Sequence, residues 1–258
     1  MSLLRVTPVQ ADLQWESPAA NRAHFDTLLA PLAGRTDVVV LPEMFTTGFT
    51  MQPQGVAERM DGETVAWLRG RAKQLDAVIT GSLVIEEEGN YRNRLIWMQP
   101  DGTHAHYDKR HGFSPAGEQE VYRNGERRLT VAWRGWRVCP LICYDLRFPV
   151  WSRNADLDYD LIIYTANWPA ARAAHWRSLL SARAIENQAF CVGVNRVGRD
   201  ANALTYRGDS RVIDYAGEVR WAAALGTATG TVALDRKALR SYRERLPFFA
   251  DADRFELG

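Results

Sequence analysis

Apolar and polar positions alternate along the chain in strand-like and helix-like runs. Residues 3–10, LLRVTPVQ, read as a strand. Ser17 and Pro18 then supply a capping residue and a first-turn proline. Phe25, Leu28, Leu29 and Leu32 recur at helical spacing, and Gly34 closes the segment. DVVVLPE (37–43) is a continuous β-branched run, the pattern of a strand covered on both faces. A second helix is predicted over 63–75, with Val65, Leu68, Ala72 and Leu75 on one side, followed by a strand over 77–86. Shorter strands with turn signals follow at 93–99 and 103–108, and RLTVAWRGWRVCPLIC (128–143) reads as two strands joined near Arg134 and Gly135.

Beyond these come a buried strand over 160–168 and a helix around 173–188 with Trp176, Leu179, Leu180 and Ile185 as its apolar stripe. The strand 189–197, a hairpin over 210–221 turning at Ala216 and Gly217, a strand over 230–235 and a short basic helix complete the pattern. The aromatic tail LPFFADADRFEL is poorly suited to water. Mixed β and α elements with hairpins predict a single α/β domain over residues 1–258, built on a mixed sheet or two sheets covered by helices.

Composition narrows the function. The 258 residues are 46% hydrophobic and 24% charged, enough for a sizeable core and unlike a disordered chain. The formal net charge is +1 and no basic run stands out, which argues against a nucleic-acid partner. The absence of an 18-residue apolar stretch argues against a membrane span, and the N-terminus lacks the pattern of a signal peptide. Three cysteines, Cys139, Cys143 and Cys191, do not make a disulfide framework and fit a reducing cytoplasm. No C-x-x-C pair supports a zinc site of that type.

Three chemistry-bearing groups share one local context, the end of a strand, where open α/β sheets place their sites. Glu43 ends VVVLPE, Lys109 follows HAHYD, and Cys143 ends VCPLIC. Each has an ordinary reading: a cap, a surface lysine, a buried core thiol. Together they make a coherent set. A free thiol with a pKa of about 8.5 is mostly protonated at neutral pH. A glutamate can take that proton, and a lysine favours the thiolate and then stabilises negative charge on a substrate oxygen. The reaction class this trio suggests is acyl transfer.

LPEMF around Glu43, YDKRHGF around Lys109 and LICYDLRFP around Cys143 resemble the three signatures of the nitrilase, or carbon–nitrogen hydrolase, superfamily. The order and separations agree, and the likeness extends to ANWP (166–169), HWRSLLSARAIENQAF (175–190) and RGDSRVIDYAGEV (207–219). CYDLRFPVWSR and ANWPAARAAHW look most like the omega-amidase branch, which cleaves the terminal amide of 2-oxo acids such as 2-oxoglutaramate. The resemblance implies a four-layer α-β-β-α sandwich that pairs into at least a dimer and needs no cofactor or metal. It implies Cys143 as nucleophile, Glu43 as general base, Lys109 as stabiliser of the tetrahedral intermediates and the backbone N–H of Tyr144 as a second oxyanion donor. It also implies an accessory glutamate after the lysine; Glu118 fits that spacing best, and Glu120 stays open. Gly112 stands where the family carries a bulkier residue, which suggests a wider pocket. Other substrates of the superfamily (deaminated glutathione, a carbamoyl compound or an aliphatic amide) and a non-catalytic binding protein on the same fold are the competing readings.

Several residues carry blander expectations. His104 and His106 share a strand face but read as edge or rim groups, not as metal ligands. GDSR (208–211) lacks the second glycine of a nucleophile elbow. Cys139 and Cys191 read as inert core, and Pro140 predicts an irregular strand. Asp145 and Arg147 are expected to brace the turn that presents Cys143. Trp168 and Phe113 are candidate pocket walls, and Arg172 is a candidate partner for a substrate carboxylate.

Overall fold

The structure is a computed structural model that describes residues 2–223 and 225–253. In chain order it contains β1 (Leu3–Gln10), α1 (Pro18–Leu29), β2 (Val38–Val40), α2 (Glu63–Leu75), β3 (Val78–Glu87), β4 (Asn90–Met98) and β5 (His104–Asp108). Then follow α3 (Glu118–Val121), β6 (Val131–Trp133), β7 (Trp136–Ile142), α4 (Pro149–Ser152), β8 (Leu161–Ala166), α5 (Ala173–Glu186) and β9 (Phe190–Asn195). The remainder is β10 (Val197–Arg199), β11 (Thr205–Arg207), β12 (Arg211–Ile213), β13 (Val219–Ala222), β14 (Ala228–Thr229), β15 (Val232–Asp235) and α6 (Arg236–Arg245).

Two sheets result. One has the order β14-β1-β2-β3-β4-β5, with β15 also on β1; the other has the order β13-β12-β9-β8-β7-β6. β1, β2 and β3 run parallel, as do β7, β8 and β9, and the outer strands are antiparallel. The valine run explains how the layers stack. Val38 and Val40 meet Val138, Leu161, Ile163 and Val192 of the other sheet, while Val39 turns outward to Phe25, Leu68 and Ala72 on α1 and α2. A strand apolar on both faces is one with a layer on each side. Trp176, Leu180 and Ala184 of α5 cover the opposite outer face with Cys139, Tyr164 and Cys191. The result is the expected four-layer α-β-β-α sandwich.

Helix α5 packs closely on the sheet at Gly193 of β9. A Cβ there would sit 2.5 Å from Leu180 Cδ1 and 2.8 Å from Trp176 Cζ2. Gly193→Ala is therefore expected to lower stability by about 1–3 kcal/mol, read as a fall in the thermal unfolding midpoint. An unchanged midpoint would show that α5 can move away at no cost.

Some local expectations change. β2 ends at Val40, because Pro42 has no N–H to continue a ladder, and this leaves Glu43 in a turn. Pro140 does not interrupt β7. β6 pairs only with Trp136–Val138, so one edge of β7 has no strand partner beyond that point, and a proline is tolerated there. Ile185 is not on the buried stripe but exposed; the inward positions after Leu180 belong to Arg183 and Ala184. Ala184, not Ile185, continues the i, i+4 series from Trp176 and Leu180. Arg183 is accommodated inside because it donates to Leu146 O (2.6 Å) and Glu186 Oε1 (2.8 Å). Ser17 precedes α1 but its side chain makes no capping bond. In the tail, Phe248 is exposed, and residues 254–258 lie outside the described residues.

Candidate active site

Each of the three candidate groups leaves a strand through a pinned turn. After β2, Met44 adopts φ +42°, a left-handed conformation costly for a side-chain-bearing residue. Its N–H donates to Ser82 Oγ (2.8 Å) and that of Phe45 to Ser82 O (3.1 Å), which fixes Glu43 against β3. After β7, Cys143 itself adopts φ +41° and begins a short helical turn. After β5, Lys109 N–H donates to Asn93 O (3.0 Å), and Lys109 O accepts from Gly125 N–H (2.8 Å).

These turns bring Glu43, Lys109 and Glu118 together out of contact with solvent. Lys109 Nζ donates to Glu43 Oε1 (2.8 Å) and to Glu118 Oε1 (3.0 Å) and Oε2 (2.8 Å). Asn93 Nδ2 bridges the same two carboxylates, at 2.9 Å from Glu43 and 3.1 Å from Glu118. Glu43 Oε2 accepts from Asn167 N–H (2.8 Å), and Asn167 Nδ2 donates to Glu43 O (2.6 Å). Glu118 also accepts the Phe113 N–H at 2.6 Å. Of the two accessory candidates, Glu118 enters this network and Glu120 is exposed. Gly117 at φ +73° begins α3 and turns Glu118 inward.

Electrostatics follow from burial. Desolvation alone would lower the Lys109 pKa, but the charges of Glu118 and Glu43 reverse this and raise it, so the ammonium is firmly charged. Burial raises the Glu118 carboxyl, the Lys109 charge opposes that rise, and Glu43 adds to it. Burial also pushes the Cys143 thiol well up. The Glu43 charge, and Glu43 as an acceptor for the S–H, push it further, against the opposing pull of Lys109. At rest the sulfur is a protonated thiol beside a carboxylate.

Cys143 is 9% exposed and opens onto a cavity of about 560 Å³. Lys109, Phe113, Tyr144, Trp168 and Arg172 line it too, so the sequence-derived site residues converge there, with Glu118 behind Lys109. Gly112 does not line the cavity. A Cβ on it would meet Asn124 Oδ1 at 3.0 Å and Gln119 N at 3.2 Å, so the glycine serves a close backbone approach and does not widen the pocket.

Asp145 braces the nucleophile turn, as expected. Its Oδ2 accepts from Ile142 N–H (3.0 Å) and Tyr107 O–H (2.8 Å); its Oδ1 accepts from His111 N–H (3.1 Å) and pairs with His111 Nδ1 (2.7 Å). The Cys143 turn is thus tied to the segment that carries Lys109. Arg147 does something else: it lines the cavity, with its guanidinium 4.7 Å from the Trp168 ring centroid. Arg172 lies likewise over Phe113, at 5.2 Å. Among the described residues neither arginine has a carboxylate within 4.0 Å. His104 and His106 are exposed on the edge strand β5. Asn93, Asn167 and the wall formed by Tyr206 and Asp200 carried no expectation from sequence; Asn93 sits between two arginines on β4.

The profile of the carbon–nitrogen hydrolase family matches residues 5–244. The chain belongs to the carbon–nitrogen hydrolase family. This hydrolase is 50% identical to "Omega-amidase YafV" of Escherichia coli K12 over 255 residues, 98% of both chains. It is 30% identical to "2-oxoglutaramate amidase" of Bacillus subtilis over 252 residues, 95% of this chain and 96% of the other. Among solved structures, XC1258 of Xanthomonas campestris is described as a CN-hydrolase superfamily protein with an arsenic adduct in its active site. It superposes on the hydrolase with a TM-score of 0.98 and 47% identity over the whole of both chains. No helix among the described residues is long and apolar enough to cross a membrane.

Proposed function

We propose that this hydrolase is an omega-amidase, cleaving the terminal amide of a small 2-oxo acid such as 2-oxoglutaramate or 2-oxosuccinamate to the acid and ammonia. The observation that carries the reading is the Lys109 ammonium held between Glu43 and Glu118 beside a cavity-lining thiol. The full-length likeness to relatives named omega-amidase and 2-oxoglutaramate amidase supports the substrate class.

In the proposed reaction Glu43 takes the Cys143 S–H proton as sulfur adds to the amide carbon. The resulting oxyanion is stabilised by Lys109 Nζ and the Tyr144 N–H. Collapse breaks the C–N bond, Glu43 returns the proton to the departing nitrogen, and ammonia leaves a thioester on Cys143. Glu43 then deprotonates a water that attacks the thioester; the acid departs and the thiol is restored. Glu118 holds Lys109 in place, and Trp168 and Phe113 are proposed as walls for the substrate chain. Arg172, together with Arg147, is proposed to receive the carboxylate, since both are cavity-lining cations without a carboxylate partner among the described residues.

Rapid-quench mass spectrometry during turnover tests the reading. The expected result is a Cys143 adduct with the mass of the 2-oxo acyl group, together with ammonia release from 2-oxoglutaramate and little from glutamine. An unmodified Cys143 during steady turnover would overturn the thioester route. Turnover of neither 2-oxoglutaramate nor 2-oxosuccinamate would overturn the substrate class.

We also propose a cytoplasmic homodimer, with the whole chain acting as one hydrolase domain. The three cysteines are free, which suits a reducing compartment. Exposed Val150, Ile185 and Phe248 supply apolar surface on α4, at the end of α5 and just after α6. Arg153 ties these elements together by donating to Glu186 O and lying over Phe249.

A further inference from the structure

A second concavity, of about 550 Å³, lies beside the strands that carry Asn93 and Lys109, between β4, β5 and residues 122–129. Side chains alternate along a strand, so Arg92 and Arg94 point away from the face that Asn93 presents to the active site. Arg92, Arg123, Arg127 and Arg128 line this groove, together with His106, Asp108 and Glu126.

The charges do not cancel locally. Asp108 is engaged by Arg94, through Nε at 2.6 Å and NH2 at 2.9 Å, and Arg94 also holds Glu87. Arg128 is spent on Asp158 and on the carbonyls of Trp151 and Arg153. Arg92 is only loosely engaged, and Arg123 and Arg127 are not paired at all among the described residues. Arg92 Nε is buried without a hydrogen-bond partner, its nearest carboxylates lying at 3.7 Å (Asp108) and 3.9 Å (Glu87), while another of its nitrogens donates to Asn124 O at 3.4 Å. Arg123 and Arg127 are exposed and, among the described residues, have no carboxylate within 4.0 Å. Glu126, also exposed, is the counter-charge nearest in sequence. Desolvation and then Arg94 lower the His106 pKa, so the groove's positive charge resides on its arginines.

The backbone of the wall is tied to the sheet. Arg123 N–H donates to Tyr91 O (2.9 Å), and Gly125 N–H to Lys109 O (2.8 Å). Gly125 packs so tightly that a Cβ on it would fall 2.2 Å from Asp108 O. Three planar forks borne around one concavity match the oxygens of a small multivalent anion better than a single charge. We propose that this groove is a binding site for a phosphate-bearing small molecule of at least two negative charges, with Arg92, Arg123 and Arg127 as its ligands. The site is separate from the amide-cleaving centre and does not depend on the substrate assigned to it.

Titration calorimetry with inorganic pyrophosphate, at ionic strength held constant with chloride, tests the proposal. Citrate serves as a polycarboxylate comparison. The expected result is saturable one-to-one binding of pyrophosphate, about tenfold weaker in Arg123→Ser and in Arg127→Ser, and lost when both are changed. The Lys/Lys double variant, which keeps the charges but not the forks, should bind with intermediate affinity. Both positions are exposed, so the variants should melt with the parent protein, which circular dichroism checks directly. Non-saturable heats, or equal binding by parent and Ser/Ser variant, would overturn the site. Citrate binding as tightly as pyrophosphate would overturn the assignment to phosphate.

Discussion

Glu43→Gln is expected to lower amide turnover by about 10³–10⁴-fold while making Cys143 easier to ionise. The two effects have opposite signs because Glu43 plays two parts at the sulfur. As a base it is the acceptor the thiol proton needs, and a neutral amide cannot fill that part. As a charge and as an S–H acceptor it raises the thiol pKa, so its removal lets that pKa fall although the desolvation remains. The pH midpoint of iodoacetamide inactivation should therefore move down in the variant. A midpoint that moves up would refute the electrostatic account of the site. Turnover within tenfold of the parent would show that Glu43 is not the base.

Lys109→Met should cost both activity and fold. The ammonium is the partner of two buried carboxylates, and removing one member of such a cluster typically costs about 3–5 kcal/mol. The loss should depend on pH in a definite direction. Without Lys109, burial and the Glu43 charge are no longer opposed, and the Glu118 carboxyl rises further above its unfolded value in the folded state. A carboxyl raised in this way contributes stability below the unfolded pKa and loses it as pH rises through the folded one. The variant should therefore be nearer the parent in stability at pH 5 than at pH 8, as measured by urea unfolding. A deficit that is the same at both pH values would mean that the two carboxylates do not share one electrostatic site.

How far the sequence could be read depended on how local the cause was. The valine run predicted a doubly covered strand because Val38, Val39 and Val40 alternate between two cores, a property visible in three letters. Glu43, Lys109 and Cys143 stood out because each ends a strand pattern. Glu118 and Glu120 could not be separated, since the choice rests on the left-handed turn at Gly117. Asn93 was invisible for a similar reason: a polar residue between two arginines gives no sign that its own face of β4 points at two carboxylates. Hydrophobicity alone puts Ile185 on the inward face of α5, where Ala184 and a hydrogen-bonded Arg183 stand instead. The CYDLRFP stretch points Arg147 to bracing, whereas its ring contact is with Trp168 in the turn after β8.

The two sheets contribute unequally to the reactive centre. Glu43, Asn93 and Lys109 hang from one half of the sandwich, while Cys143 and Asn167 come from the other. Neither half holds sulfur and base at once, so catalytic competence is a property of the seam. During refolding, the return of amide turnover should lag the recovery of helical signal, which makes activity a clock for the final closure of the molecule.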